Sequence, residues 1–283
     1  MIGSYCDINL IIVKKSNQSP CLFVYPLSKH NNLMGGKMKR IGLIGGMSWE
    51  STAVYYRRVN EQVRERLGGL NSADVVMRSV NFQDIVTLQK LGAWEQAAGE
   101  LSKVARDLEQ AGADMILICT NTMHLLADDV QSSVDVPLLH IADVTGEAVT
   151  AAGCKRPLLL ATRYTMEQDF YRRRVEDKFG LEVLIPDAQD RQDVHDIIFG
   201  ELCCGIVKSA SHQRYLDIVE KGKAAGADSV ILGCTEIGLL VSADDFDIPT
   251  FDSTLLHADA AVDISLAVAR AAKAETGLAA PIH

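Results

Sequence analysis

The sequence predicts an α/β protein: two similar parallel-sheet αβα domains from an internal duplication. Three observations lead there. Short runs rich in Val, Ile and Leu alternate with longer stretches whose apolar residues recur every three or four positions, the pattern of strands covered by helices. The tetrapeptide A-G-A-D occurs twice, at 111–114 and 225–228, and each copy leads into a buried-looking strand. Two further pairs keep nearly the same separation: 41–45 with 158–162, and 141–145 with 250–254.

In order along the chain, strands are expected at 39–45, 73–80, 114–119, 137–141, 157–162, 181–185, 228–234 and 248–251. Helical periodicity marks 48–67, 94–111, 166–178 and 213–225. Residues 1–37 are aperiodic and carry S-N-Q-S-P, H-N-N and G-G turn material, with Met34 and Met38 as in-frame alternatives to Met1; they are read as an extension outside the folded body. They lack the basic-then-apolar order of a signal peptide. The first domain is expected to span 38–142 and to recover a returning C-terminal helix, 253–275; the second spans 143–252. Ligands in such sheets bind beyond the carboxyl ends of strands, so the active site is expected in the cleft between the two domains.

Composition narrows the function classes. The 283 residues include 28 Lys and Arg against 37 Asp and Glu, a formal charge of −9 with no dense basic block, which argues against nucleic acid as a partner. No apolar run approaches the ~18 residues of a membrane-spanning helix, so no membrane partner is expected. Seven irregularly spaced cysteines (6, 21, 119, 154, 203, 204 and 234) offer no C-x-x-C pair, which reads as a reduced, cytoplasmic protein without a metal site. The glycines at 42, 45 and 46 do not make a G-x-G-x-x-G dinucleotide loop, and no cofactor is expected.

Counting from the repeated A-G-A-D shows where the halves diverge. Cys234 lies nine residues after Ala225, and nine residues after Ala111 stands Thr120, not Cys119. A one-residue shift along a strand turns a side chain to the opposite face, so Thr120 and Cys234 are the matched pair and Cys119 is expected in the core. Each member of the pair precedes a helix start, where free N–H groups lower a thiol's pKa; Cys234 is therefore expected to be a reactive base. The same N–H groups, with Asn121, Thr122 and Thr235, are candidates to hold a substrate carboxylate.

These motifs resemble the aspartate/glutamate racemase superfamily over residues 38 to about 270. The resemblance is carried by I-G-L-I-G-G-M-S at 41–48, C-T-N-T-M-H at 119–124, L-L-A-T-R-Y-T-M at 159–166 and L-G-C-T-E-I-G at 232–238. It implies a cofactor-independent amino-acid racemase, acting on a small amino acid as a homodimer, with two residues on opposite faces of the α-carbon exchanging its proton. Cys234 falls on the family's second cysteine, and Thr120 on its first. A threonine hydroxyl is a much poorer base than a thiolate, so proton removal on the Thr120 face is expected to be slow, with water as a go-between.

The resemblance also implies substrate contacts from Met47, Gln89, Asn121, Thr122, Thr162, Thr165 and Thr235. Acidic-substrate members carry a lysine near E-L-C-C-G at 201–205, where this chain has cysteine; that pattern is similar to the broad-specificity amino-acid racemase branch. Glu236 replaces the histidine that dedicated glutamate racemases carry after this cysteine. Maleate isomerase-like or hydantoin racemase-like chemistry, or a catalytically silent amino-acid-binding protein, are the alternatives. His124 and His140 are read as structural, Asp143 and Asp252 as helix caps, and Cys203 and Cys204 as packing residues on a helix.

Overall fold

The computed structural model describes residues 38–275; the reading of 1–37 lies outside the described residues. Among the described residues, six strands form two three-stranded parallel sheets. The first has order β2-β1-β3, with β1 Ile41–Gly45 between β2 Val75–Ser79 and β3 Met115–Ile118; the second has order β4-β5-β6, with β5 Ser229–Leu232 between β4 Pro157–Leu160 and β6 Thr250–Asp252. The near-continuous apolar runs of β1, β3, β4 and β5 are what strands buried on both faces require.

Two expected strands shrink to single bridges. Around 137–141, Leu138 pairs only with Ile116, because Pro137 has no N–H to give and His140 already caps the next helix, accepting the Ala142 N–H. Around 181–185, Leu184 pairs only with Leu158, and Pro186 and the capping Asp187 follow at once. The helices are α1 Trp49–Leu67, α2 Phe82–Leu91, α3 Trp94–Gln110, the short α4 Ala127–Gln131 and α5 Ile141–Ala151, all before β4. After it come α6 Arg163–Glu167, α7 Asp169–Phe179, α8 Ala188–Gly200, α9 Ser209–Ala224 and α10 Ser253–Glu275. The single helix expected at 166–178 is two, because Gln168 takes an extended conformation between α6 and α7.

Apolar packing gives each sheet two covered faces. On the first, Ile44, Ile116 and Ile118 pack with Leu101 and Leu108 of α3, while Ile41, Leu43 and Tyr55 pack with Ala258, Ala261 and Val262 of α10. On the second, Leu158, Leu160, Val230 and Leu232 pack with Val175, Val194 and Ile218. Burying side chains of this size stabilises by about 1.5–3 kcal/mol each before entropy is counted. Because the sheets are parallel, the turns after β1, β3, β4 and β5 leave from strand carboxyl ends. The turn after β1 depends on Gly46, at φ 90°, where a Cβ would sit 2.2 Å from the Val80 carbonyl oxygen.

Asp252 accepts the N–H groups of Thr254 and Leu255 at 2.8 and 3.2 Å and caps α10 as expected. Asp143 does not cap α5. It pairs with Arg174 at 2.6 Å and with Lys178 at 2.8 Å, tying α5 to α7, and these cations hold its carboxyl down to about 2 against the cost of burial. Among the described residues no helix is long and apolar enough to cross a membrane.

Candidate active site

Thr120 and Cys234 occupy equivalent places. In the first sheet Ile44 pairs with Ile118, in the second Leu160 pairs with Leu232, and Thr120 and Cys234 each stand two residues beyond those last rungs. Both line one small cavity between the two halves, together with Met47, Gln89, Asn121, Thr122, Thr162, Cys203 and Glu236. Phe82, Met123, Ile198 and Phe199 complete its wall. Its volume is about 20 Å³, room for roughly one water.

Cys119 points the other way, fully buried beside Tyr55 and Ala258 in the core between the first sheet and α10. Burial pushes its thiol well above the ordinary range. Thr120 is held from behind by His124. The Ile141 N–H donates to His124 Nε2 at 3.2 Å, which leaves Nδ1–H to donate to the Thr120 carbonyl at 2.8 Å. His140 lies 4.7 Å from His124, ring to ring, and His257 5.6 Å. All three are buried, and desolvation keeps them neutral, with His124 lowered to about 4 and His257 to about 3.

Hydroxyls and amides from both halves meet across the cleft. The Thr122 and Thr162 hydroxyls lie 2.9 Å apart, with Thr165 Oγ1 3.4 and 3.3 Å from them. Asn121 Nδ2 donates to Ser253 Oγ at 3.1 Å, and Ser253 donates to the Leu232 carbonyl. Thr165 and Thr235 do not line the cavity; they stand one layer behind, Thr165 against Thr162, and Thr235 against Ser51 and Glu236. Gln89 lies on α2, and its Nε2 donates to the Met123 sulfur at 2.9 Å.

The expected lowering of the Cys234 pKa is not what this setting produces. The segments after Thr120 and Cys234 are short 3₁₀ turns, Thr122–Leu126 and Ile237–Leu239, which carry little of a long helix's dipole. Burial, and then the negative charge of Glu236, push the thiol up instead. Glu236 itself is 3% exposed and accepts from Cys234 Sγ at 3.0 Å. Cys203 is also placed differently from its expectation: it sits in the 3₁₀ turn Leu202–Cys204, half-buried, and faces the cavity. Sequence reasoning treated Glu236 only as a lost histidine and Cys203 as packing. For Glu236 the signal was a titratable group two residues from Cys234; for Cys203 it was its place in E-L-C-C-G, where the resemblance puts a lysine.

A two-sheet α/β architecture with a thiol and hydroxyls gathered at strand ends defines a class, and comparison with known families agrees. The chain belongs to the Asp/Glu/Hydantoin racemase family, whose model matches residues 44–261. It is thus a racemase, an isomerase, by family. Among its relatives is the broad specificity amino-acid racemase RacX of Bacillus subtilis (strain 168), 23% identical over 232 residues, covering 80% of this chain and 98% of that protein. A crystal structure of a candidate Asp/Glu racemase from Yersinia pestis is 50% identical, with a TM-score of 0.77 over 81% of this chain and all of the other. An aspartate racemase homologue from Pyrococcus horikoshii OT3 is 36% identical, with a TM-score of 0.71 over 81% and 99%.

Proposed function

We propose that this protein is a broad-specificity, cofactor-independent amino-acid racemase in which Cys234 and Thr120 address opposite faces of the substrate α-carbon. The observation that supports this most directly is that both residues, from equivalent turns of the two halves, line one cavity from which Cys119 is turned away. Cys234 removes the α-proton as base, and Thr120, relaying from water, returns a proton on the other face. Asn121, Thr122 and Thr162 supply the donors for the substrate carboxylate, with Thr165 holding the two threonines from behind and Thr235 holding Glu236. The negative charge that develops beside that carboxylate is met by oriented hydroxyls and an amide, a contribution of several kcal/mol in sites of this kind.

The side-chain end of the cavity has Met47, Phe82, Gln89, Met123, Ile198, Phe199 and Cys203, and no Lys or Arg among the described residues lining it. Such a wall favours neutral unbranched side chains, Met and homoserine above Asp and Glu, since an unpaired buried carboxylate is costly. The resemblance also supports a cytoplasmic homodimer, which light scattering on the purified protein tests.

L and D forms have equal free energies, so kcat/KM for racemisation must be the same in both directions. The difference between the two faces appears instead in α-hydrogen exchange without inversion. The test is proton NMR in D2O with chiral chromatography, on both enantiomers of Asp, Glu, homoserine, Met and Lys. Exchange with inversion, strongest for the neutral side chains, is expected. Retention of every α-proton across the panel would refute racemisation of these substrates and direct attention to hydantoins, maleate or binding alone.

A further inference from the structure

A buried carboxylate needs a reason, and the surroundings of Glu236 offer an unusual one. Its Oε1 accepts from the Ser48 and Ser51 hydroxyls, each at 2.7 Å, and its Oε2 accepts from Thr235 Oγ1 at 2.7 Å and Cys234 Sγ at 3.0 Å. Among the described residues no ion pair includes it. Four neutral donors thus hold the charge, two from each half of the molecule. Ser48 is the N-cap of α1 and Ser51 lies in its first turn, so the positive end of a 19-residue helix adds to them. A brace between the halves needs only a neutral amide here. What a carboxylate adds, set against a thiol, is a place to put a proton.

We propose that Glu236 is the proton-accepting partner of Cys234, a positioning residue that takes the thiol's proton onto Oε2 as Sγ takes the α-proton of the substrate. The inference rests on the reading of Cys234 as the base. In the step, the Cα–H bond breaks and a new S–H bond forms. The original S–H bond breaks, an O–H bond forms on Oε2, and the electron pair stays on the α-carbon, conjugated with the substrate carboxylate. A proton relayed from water through Thr120 then quenches the opposite face. Glu236 returns its proton to solvent through the opened cleft as product leaves.

This arrangement explains how a thiol that is 7% exposed, and raised rather than lowered by its surroundings, can still serve as a base near neutral pH. The thiol need not ionise beforehand, because the carboxylate receives its proton within the same step. The titratable groups that face Cys234 are Glu236 and Cys203, with Tyr215 deeper in the second half.

Two measurements on Glu236→Gln test the proposal. The amide keeps the size and can still accept from the serines, but it cannot take a proton of comparable strength. Racemisation is expected to fall by at least about a hundredfold through kcat, with KM little changed. Independently of any substrate, the pH profile of Cys234 alkylation by iodoacetamide, followed by peptide mass spectrometry, is expected to move to lower pH by about one unit or more, because the adjacent negative charge is gone. Full racemisation in Glu236→Gln, or an alkylation profile that stays in place, would overturn the proposal. Should the amide variant not fold, Glu236→Asp withdraws the carboxylate by one methylene and is expected to shift both readouts the same way, by less; no shift in either overturns the proposal equally. If the parent exchanges no panel substrate, it is the racemase reading that has failed, and the alkylation profile still decides whether thiol and carboxylate act as a pair.

Discussion

The turn after β3 and the turn after β5 share a fold and differ in chemistry. Each begins two residues past the last strand rung and runs into a 3₁₀ turn, yet one presents the Thr120 hydroxyl and the other the Cys234 thiol. Their supports differ in the same sense. Behind Thr120 stands a neutral histidine gripping a backbone carbonyl, whereas beside Cys234 stands a carboxylate that accepts from the thiol. Duplication supplies matching positions, and the surroundings of each differ in chemistry.

The largest expected effect removes the stronger side. Cys234→Ala leaves neither thiol nor relay, and both inversion and α-hydrogen exchange are expected to fall by about 10³-fold or more in the D2O assay. Next, Thr120→Ala is expected to lower inversion by about 10²-fold while exchange without inversion on the Cys234 face persists. Equal loss of both would break the two-face comparison. Thr120→Cys sharpens it from the other side: a thiol at the weaker position is expected to raise inversion above the parent rate, by chiral chromatography.

A third effect concerns stability. His124 and His257 are neutral when folded, lowered to about 4 and about 3, while in the unfolded chain they take up a proton near 6.5. Between those values the unfolded state binds more protons, so stability is complete above about pH 6.5 and declines as pH falls toward 4. Urea midpoints from pH 7.5 to 4.5 measure this, and His257→Gln is expected to flatten the slope. That substitution also removes the acceptor for the buried Tyr55 O–H, 2.8 Å away, at a cost of about 1–3 kcal/mol at pH 7. The smallest effect is Asp143→Asn, which loosens the partly exposed link from α5 to Arg174 and Lys178. A loss near 1 kcal/mol is expected by chemical denaturation, with no change in substrate exchange.

Much of the architecture was legible because parallel strands are apolar on both faces: 41–45, 115–118, 157–160 and 229–232 fall inside runs expected to be strands. The segments at 137–141 and 181–185 were equally apolar, but a proline and a helix cap limit them to one bridge each, and local hydrophobicity does not register that. The equivalence of Thr120 and Cys234 was legible for a simpler reason, since a repeated tetrapeptide allows positions to be counted. The Cys234 environment was not. A thiol's pKa depends on what lies across the cleft, and nothing in G-C-T-E states that Ser48 and Ser51, more than 180 residues away, will meet Glu236. Gln89 and Met47 line the cavity, and the helix carrying Gln89 was not anticipated.

The hydroxyls facing each other across the cleft have a thermodynamic consequence for recognition. Thr122 and Thr162 share one hydrogen bond, as Asn121 and Ser253 do, so on the proposed reading an incoming carboxylate would partly trade for existing bonds and partly take up the donors left over. Binding is then an exchange reaction with a modest net yield. If the proposed racemase reading holds, selectivity would come from what can complete the trade: a ligand without a carboxylate would break those contacts and return nothing, while an α-amino acid would return a charged acceptor.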